Sequence, residues 1–94
     1  MDIRHTPEKK RFDLYDETGE RVGEIEYMPG GNNEIYATHT EVFSPHEGKG
    51  YAGKLLAAMA EWAEREGKVI IPICPYVIAA FKKHPDKYAA VMKK

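Results

Sequence analysis

Arg11-Phe12-Asp13-Leu14-Tyr15 and Arg21-Val22-Gly23-Glu24-Ile25-Glu26-Tyr27 alternate polar and apolar side chains, the pattern of strands with one covered face. Asp16-Glu17-Thr18-Gly19 turns between them, so the pair predicts a β-hairpin. Met28-Pro29-Gly30-Gly31-Asn32-Asn33 is a second turn cluster, and a third strand runs from Glu34 to Phe43, completing an antiparallel meander. Counting by twos along that strand places Ile35, Ala37, His39, Glu41 and Phe43 on one face and Tyr36, Thr38, Thr40 and Val42 on the other. The first ten residues, polar and interrupted by Pro7, predict a loosely held arm.

Beyond Phe43 the period changes. From Gly50 to Glu66 the residues Ala52, Leu55, Leu56, Met59 and Ala63 recur at three- and four-residue steps with Trp62 beside them, which predicts a helix ended by Gly67. Lys68 to Ile73 reads as a short strand whose residues from Val69 on are consecutively apolar, expected of a strand covered on both faces. Strand, glycine turn, helix, strand is a βαβ crossover, so segments 34–43 and 68–73 should lie parallel. A last helix is predicted from Pro75 to about Lys83, broken at His84-Pro85-Asp86-Lys87, with a short helical turn from Tyr88 to Met92 and fraying lysines after it. The fold class expected is α/β in its α+β form: a mixed sheet, antiparallel then parallel, backed by helices.

With 94 residues there is material for one core, so residues 1–94 are expected to form one domain. No long apolar run and no leader-like N-terminus points to a membrane or to export, and the cytoplasm is the expected location. One cysteine forms no internal disulfide, in keeping with a reducing compartment. The net charge of −1 conceals five Lys/Arg against eleven Asp/Glu in residues 1–47, and nine against four in residues 48–94. A basic second half suits a polyphosphate and an acidic first half suits a cationic partner, although two solvated charged faces produce the same count. The lysines are not interleaved with aromatics in a nucleic-acid-binding motif, so no nucleic-acid partner is expected.

The basic half begins at His46-Glu47-Gly48-Lys49-Gly50-Tyr51-Ala52-Gly53-Lys54. Gly48, Gly50 and Gly53 satisfy the G-x-G-x-x-G spacing, yet the chain is too short for the paired βαβ halves of a dinucleotide-binding fold, and the P-loop form is absent. Two readings remain: an anion-binding strand-turn-helix that offers bare amides to a phosphate or pyrophosphate, and glycines that merely make a tight turn or a close helix-to-sheet contact. His39 and Glu41, one pleat apart, suit either a proton acceptor or a solvent-side pair. Cys74 falls where a strand ends and a helix begins, a position that favours the thiolate; a small buried hydrophobe is the other reading.

The run from Glu47 to Ala52 resembles the Gln/Arg-x-x-Gly-x-Gly/Ala motif of the GNAT acetyltransferase superfamily, which grips the pyrophosphate of acetyl-coenzyme A. With His39-Thr40-Glu41-Val42 before it and Cys74-Pro75-Tyr76 after it, the pattern looks like the small Yjdj-type branch, over about residues 10 to 90. The resemblance implies a truncated GNAT fold and an acetyl-CoA-binding protein, an N-acetyltransferase moving an acetyl group to an amine. Its alternatives are an acyl-CoA sensor or carrier and a non-catalytic interaction module. It also implies that the cofactor contacts Val42, Gly48, Lys49, Gly50, Tyr51, Ala52, Gly53, Lys54, Cys74 and Pro75, and that no metal takes part. Glu41 or His39 would act as base, Tyr76 as the acid for the departing thiolate unless it is a core aromatic, and Cys74 would orient the thioester or take the acetyl group. Glu47 stands where the superfamily has Gln or Arg, which leaves phosphate binding to the amides and to Lys49 and Lys54. The acceptor is left open among a small amine, a polyamine and a protein lysine.

Overall fold

The computed structural model describes residues 1–93. Five strands form one sheet in the order β1 (Asp2–Thr6), β2 (Arg11–Tyr15), β3 (Arg21–Pro29), β4 (Glu34–Val42) and β5 (Val69–Pro72). The first four pair antiparallel and β5 lies parallel to β4. Helix α1 (Tyr51–Arg65) makes the crossover, and α2 (Pro75–Lys83) and α3 (Pro85–Tyr88) follow. A 3-10 turn, Ala89–Val91, then returns the chain so that Met92 bridges Ile70. The meander, the crossover and the last long helix are as the periodicities predict; α3 forms where a break was expected, and the expectation for Lys94 lies outside the described residues.

The first residues differ from expectation, since they form the edge strand β1 and a 3-10 turn, Pro7–Lys9, in place of an arm. His5 is the reason. It pairs with Phe12, stacks on that ring at 4.1 Å and 3°, meets Trp62 edge-on at 4.6 Å, and has Nε2 2.6 Å from the Tyr27 hydroxyl. An imidazole doing the packing of an aromatic leaves no apolar mark in the sequence.

Leu55, Leu56, Met59 and Ala63 of α1 are fully buried in one cluster with Leu14, Val22, Ile25 and Ile35 of the sheet, each large aliphatic side chain contributing about 1.5–3 kcal/mol of transfer free energy. Val77, Phe81, Tyr88 and Val91 extend that core from the C-terminal third. The other sheet face stays open. Met28 and Ile73 are half exposed there, and Val69 and Ile71 only half-buried, so β5 is an edge strand and is not covered on both faces as its apolar run suggested.

A bulge in β4 then decides which side chains reach the core. Glu26 pairs with His39 but Tyr27 pairs with Ala37, leaving Thr38 as the extra residue. Ahead of it Ile35 and Ala37 are buried; beyond it the alternation is reversed, with Thr40 opposite Ile25 and Val42 opposite Gly23. That face is the α1 side, because a Cβ on Gly23 would lie 3.3 Å from Leu55 Cδ1. His39 and Glu41, paired with Glu26 and Glu24, turn to the open face, and the single-face alternation expected for 35–43 is thereby corrected.

Candidate active site

Between β4 and α1 the backbone takes left-handed angles at Gly48 (φ +80°) and Gly50 (φ +77°), the latter the N-cap of α1. A Cβ at either position would meet nothing within 4 Å. These glycines therefore answer to the backbone angle and not to a close helix-to-sheet contact, and the space over the turn is open. The first intrahelical bond runs from Lys54 N–H to the Gly50 carbonyl at 3.3 Å. The amides of Tyr51, Ala52 and Gly53 are thus the unpaired donors of the first turn, no side chain caps them, and they add to the positive end of the helix dipole. Lys49 and Lys54 are exposed beside them, as is Glu47. This donor set fits a diphosphate.

A cleft opens next to this turn. β4 and β5 pair only from Glu34 with Val69 to Ala37 with Pro72. The Ala37 carbonyl then accepts from both Ile73 N–H (3.1 Å) and Cys74 N–H (2.9 Å), after which β4 continues while the chain swings into α2. Cys74 is the N-cap of α2 and is buried, and its Sγ lies 3.5 Å from Thr40 Oγ1 across the gap. Burial pushes the thiol pKa up, but the Thr40 hydroxyl and the backbone of Val77, Tyr76 and Thr40 outweigh it, so that the net displacement is downward.

Tyr76 is 38% exposed, which sets it apart from the core aromatics Phe81 and Tyr88. Its Oη lies 3.5 Å from where a Gly53 Cβ would be, so the start of α2 abuts the uncapped turn of α1. Partial burial, and then Tyr88 and Cys74, raise its pKa, and the phenol holds its proton at neutral pH. Cys74, Pro75, Tyr76 and the 48–54 turn are thereby gathered at one end of the cleft, with Val42 half-buried on the α1 face. His39 and Glu41 do form a pair (3.3 Å), with Glu24 3.8 Å from the same imidazole, but on the opposite face from Thr40.

Sequence reasoning missed Thr40, because only the bulge brings it to the thiol. Among the described residues two groups of donors have metal-compatible spacing, Asp16/Glu20/His46 and Glu24/Glu26/His39, each within 4.8 Å. Both are engaged within the protein: His46 bonds Glu20, Asp16 accepts from the Thr18 hydroxyl and from the Thr18 and Glu20 amides, and Glu24 pairs with Arg21. A groove of about 440 Å3 is lined by Ile70, Pro72, Ile78, Phe81, Pro85 and Met92 with Lys82 and Lys93 at its rim, and takes in neither the 48–54 turn nor Thr40, Cys74 or Tyr76. Its walls are apolar and Lys93 at the rim is paired with Glu34, whereas the turn offers a row of unpaired amides at a helix N-terminus, the better match for a diphosphate. Among the described residues no helix is long and apolar enough to cross a membrane.

Known proteins agree with this architecture. A protein of Staphylococcus aureus assigned as a GCN5-like N-acetyltransferase superimposes with a TM-score of 0.77 at 30% identity, over 98% of this chain and 87% of that one. Tetrahymena GCN5 (TM-score 0.65, 12% identity, 89% of this chain and 60% of that one) shares the fold. So does a protein of Pyrococcus furiosus assigned as an acetyl transferase (0.58, 21%, 78% and 56%). No curated protein matches the sequence significantly. The family model described as GCN5-related N-acetyl-transferase matches residues 11–91, and the chain belongs to that family of acetyltransferases.

Proposed function

We propose that this chain moves an acetyl group from acetyl-CoA to an amine by way of Cys74, as a member of the small Yjdj-type branch. The observation that carries the reading is the parting of β4 and β5 at Ala37, where the Cys74 thiol faces Thr40 while Tyr76, two residues on, reaches Gly53 in the uncapped turn of α1. The diphosphate would rest on the amides of residues 51–53, with Lys49 and Lys54 adding charge. The Cys74 thiolate attacks the acetyl carbonyl, the bond from that carbon to the coenzyme sulfur breaks, and Tyr76 gives its proton to the leaving coenzyme thiolate. An amine reaching the open face loses its ammonium proton to the His39–Glu41 pair and attacks the acetyl carbonyl. The Cys74 sulfur leaves as thiolate, and the second amine proton returns to Tyr76.

The opposed faces of His39 and Thr40 favour a second reading, an acyl-CoA carrier that is acetylated on Cys74 but slow to pass the group on. Intact-mass measurement after incubation with acetyl-CoA should show one acetyl adduct on the parent and none on Cys74→Ser. Release of free CoA that rises with added amine identifies the enzyme, and an adduct that persists in the presence of amines identifies the carrier. Absence of both adduct and CoA release removes the covalent route.

A further inference from the structure

We propose that Thr40 is the positioning residue of the Cys74 thiol: its hydroxyl holds the sulfur in the β4–β5 gap and stabilises the thiolate there. The inference rests on the reading of Cys74 given above and supplies what that reading lacked, a side chain that answers to the sulfur. Thr40 is half-buried, and among the described residues its hydroxyl has no hydrogen-bond partner but Cys74 Sγ at 3.5 Å. In the thiol form Sγ–H donates to Thr40 Oγ1; once the proton leaves, the hydroxyl rotates and donates to the sulfur. A plain strand could not make this contact. With Ala37 facing the core, unbroken alternation would put Thr40 on the open face, and the extra residue Thr38 turns it to the α1 side, level with Ile25. The bulge thus assigns neighbouring positions of β4 to different tasks, Thr40 to the sulfur and His39 and Glu41 to the outer surface.

The groups facing the sulfur from the packed elements are Thr40 of β4 and, from α2, the start of the helix with Tyr76, beside which lies Tyr88 of α3; both phenols have raised pKa values. Neither tyrosine is charged where the thiol titrates, so the hydroxyl is the side chain whose removal should move that titration.

The test is the ultraviolet absorbance of the thiolate followed against pH, with Cys74→Ala subtracted, in the parent, Thr40→Val and Thr40→Ser. Valine keeps the volume and removes the hydroxyl, so the midpoint should rise by about one pH unit, a tenfold loss of thiolate at fixed pH below it. Thr40→Ser should restore the parent midpoint. An unmoved midpoint in a folded Thr40→Val overturns the proposal, as does a Thr40→Ser that behaves like valine. The readout needs no acetyl-CoA: a shifted midpoint in a protein that never becomes acetylated sustains the role of Thr40 and removes the acyl-transfer reading alone. If Thr40→Val does not fold, Thr40→Ala gives the same comparison.

Discussion

Gly50 and Gly53 stand three residues apart and call for opposite predictions. At Gly50 the angle of +77° excludes a side chain on backbone grounds with nothing nearby to clash, so Gly50→Ala should cost about 1 kcal/mol, seen as a lower urea midpoint with unchanged slope. Gly53 lies inside the first turn of α1, and a Cβ there would sit 3.5 Å from the Tyr76 hydroxyl, an ordinary contact. Gly53→Ala should therefore raise stability by roughly 0.5–1 kcal/mol. It also places a methyl group over the open amides, and should weaken acetyl-CoA binding by about tenfold, the worth of one charge-assisted hydrogen bond, measured by calorimetry. A Gly53→Ala protein that is more stable and binds undiminished would show that the diphosphate does not lie against this turn. The need for glycine between residues 48 and 53 was plain from spacing, as was the placing of Cys74 at a helix start. Thr40 was not, because a bulge is a matter of how two strands register, and nothing in β4 alone marks Thr38 as the residue without a partner.

At the scale of elements, β1 shows how burial of a titratable ring ties a strand to the core. Burial lowers the His5 pKa, with Glu8 acting weakly in the other direction, and the ring is boxed by Phe12, Tyr27 and Trp62, over which Lys68 also lies. Because the folded-state pKa is depressed, the unfolded chain binds the proton first on acidification. The contribution is complete above about pH 6.5, the ordinary histidine value, declines as pH falls below it, and levels off beneath the folded pKa. Thermal unfolding across this window should show a melting temperature that falls with pH in the parent and a flatter profile in His5→Phe. Equal slopes in the two proteins would mean that His5 takes up its proton without leaving the box. The strands of the meander were readable from apolar alternation; β1 was hidden because its anchoring ring is counted as polar.

The whole molecule is a sheet with helices on one side, and that bounds both its stability and its ligand. A chain of 94 residues that leaves one sheet face to Met28, Tyr36, Ile73 and a set of charged side chains buries a modest core, so ligand binding should register strongly in its melting. The order of β2 to β5 followed from the sequence. The uncovered face did not, since the apolar run at Val69–Ile73 reads as doubly buried until β5 is seen at the sheet edge. If the turn and the cleft hold acetyl-CoA, a hundredfold excess over the dissociation constant adds about 2.7 kcal/mol, which for a domain of this size is a rise of about 10–20 °C. Because Lys49 and Lys54 are exposed, their share is screened, and the rise should shrink between low salt and about 0.5 M salt without vanishing, the amides of α1 being fixed dipoles. Desulfo-CoA, which keeps the diphosphate and lacks the thioester, should produce most of the same rise. That comparison separates the two parts of the site: a rise only with acetyl-CoA would place recognition at Cys74, and no rise with either would leave a GNAT fold whose glycine turn serves its own backbone.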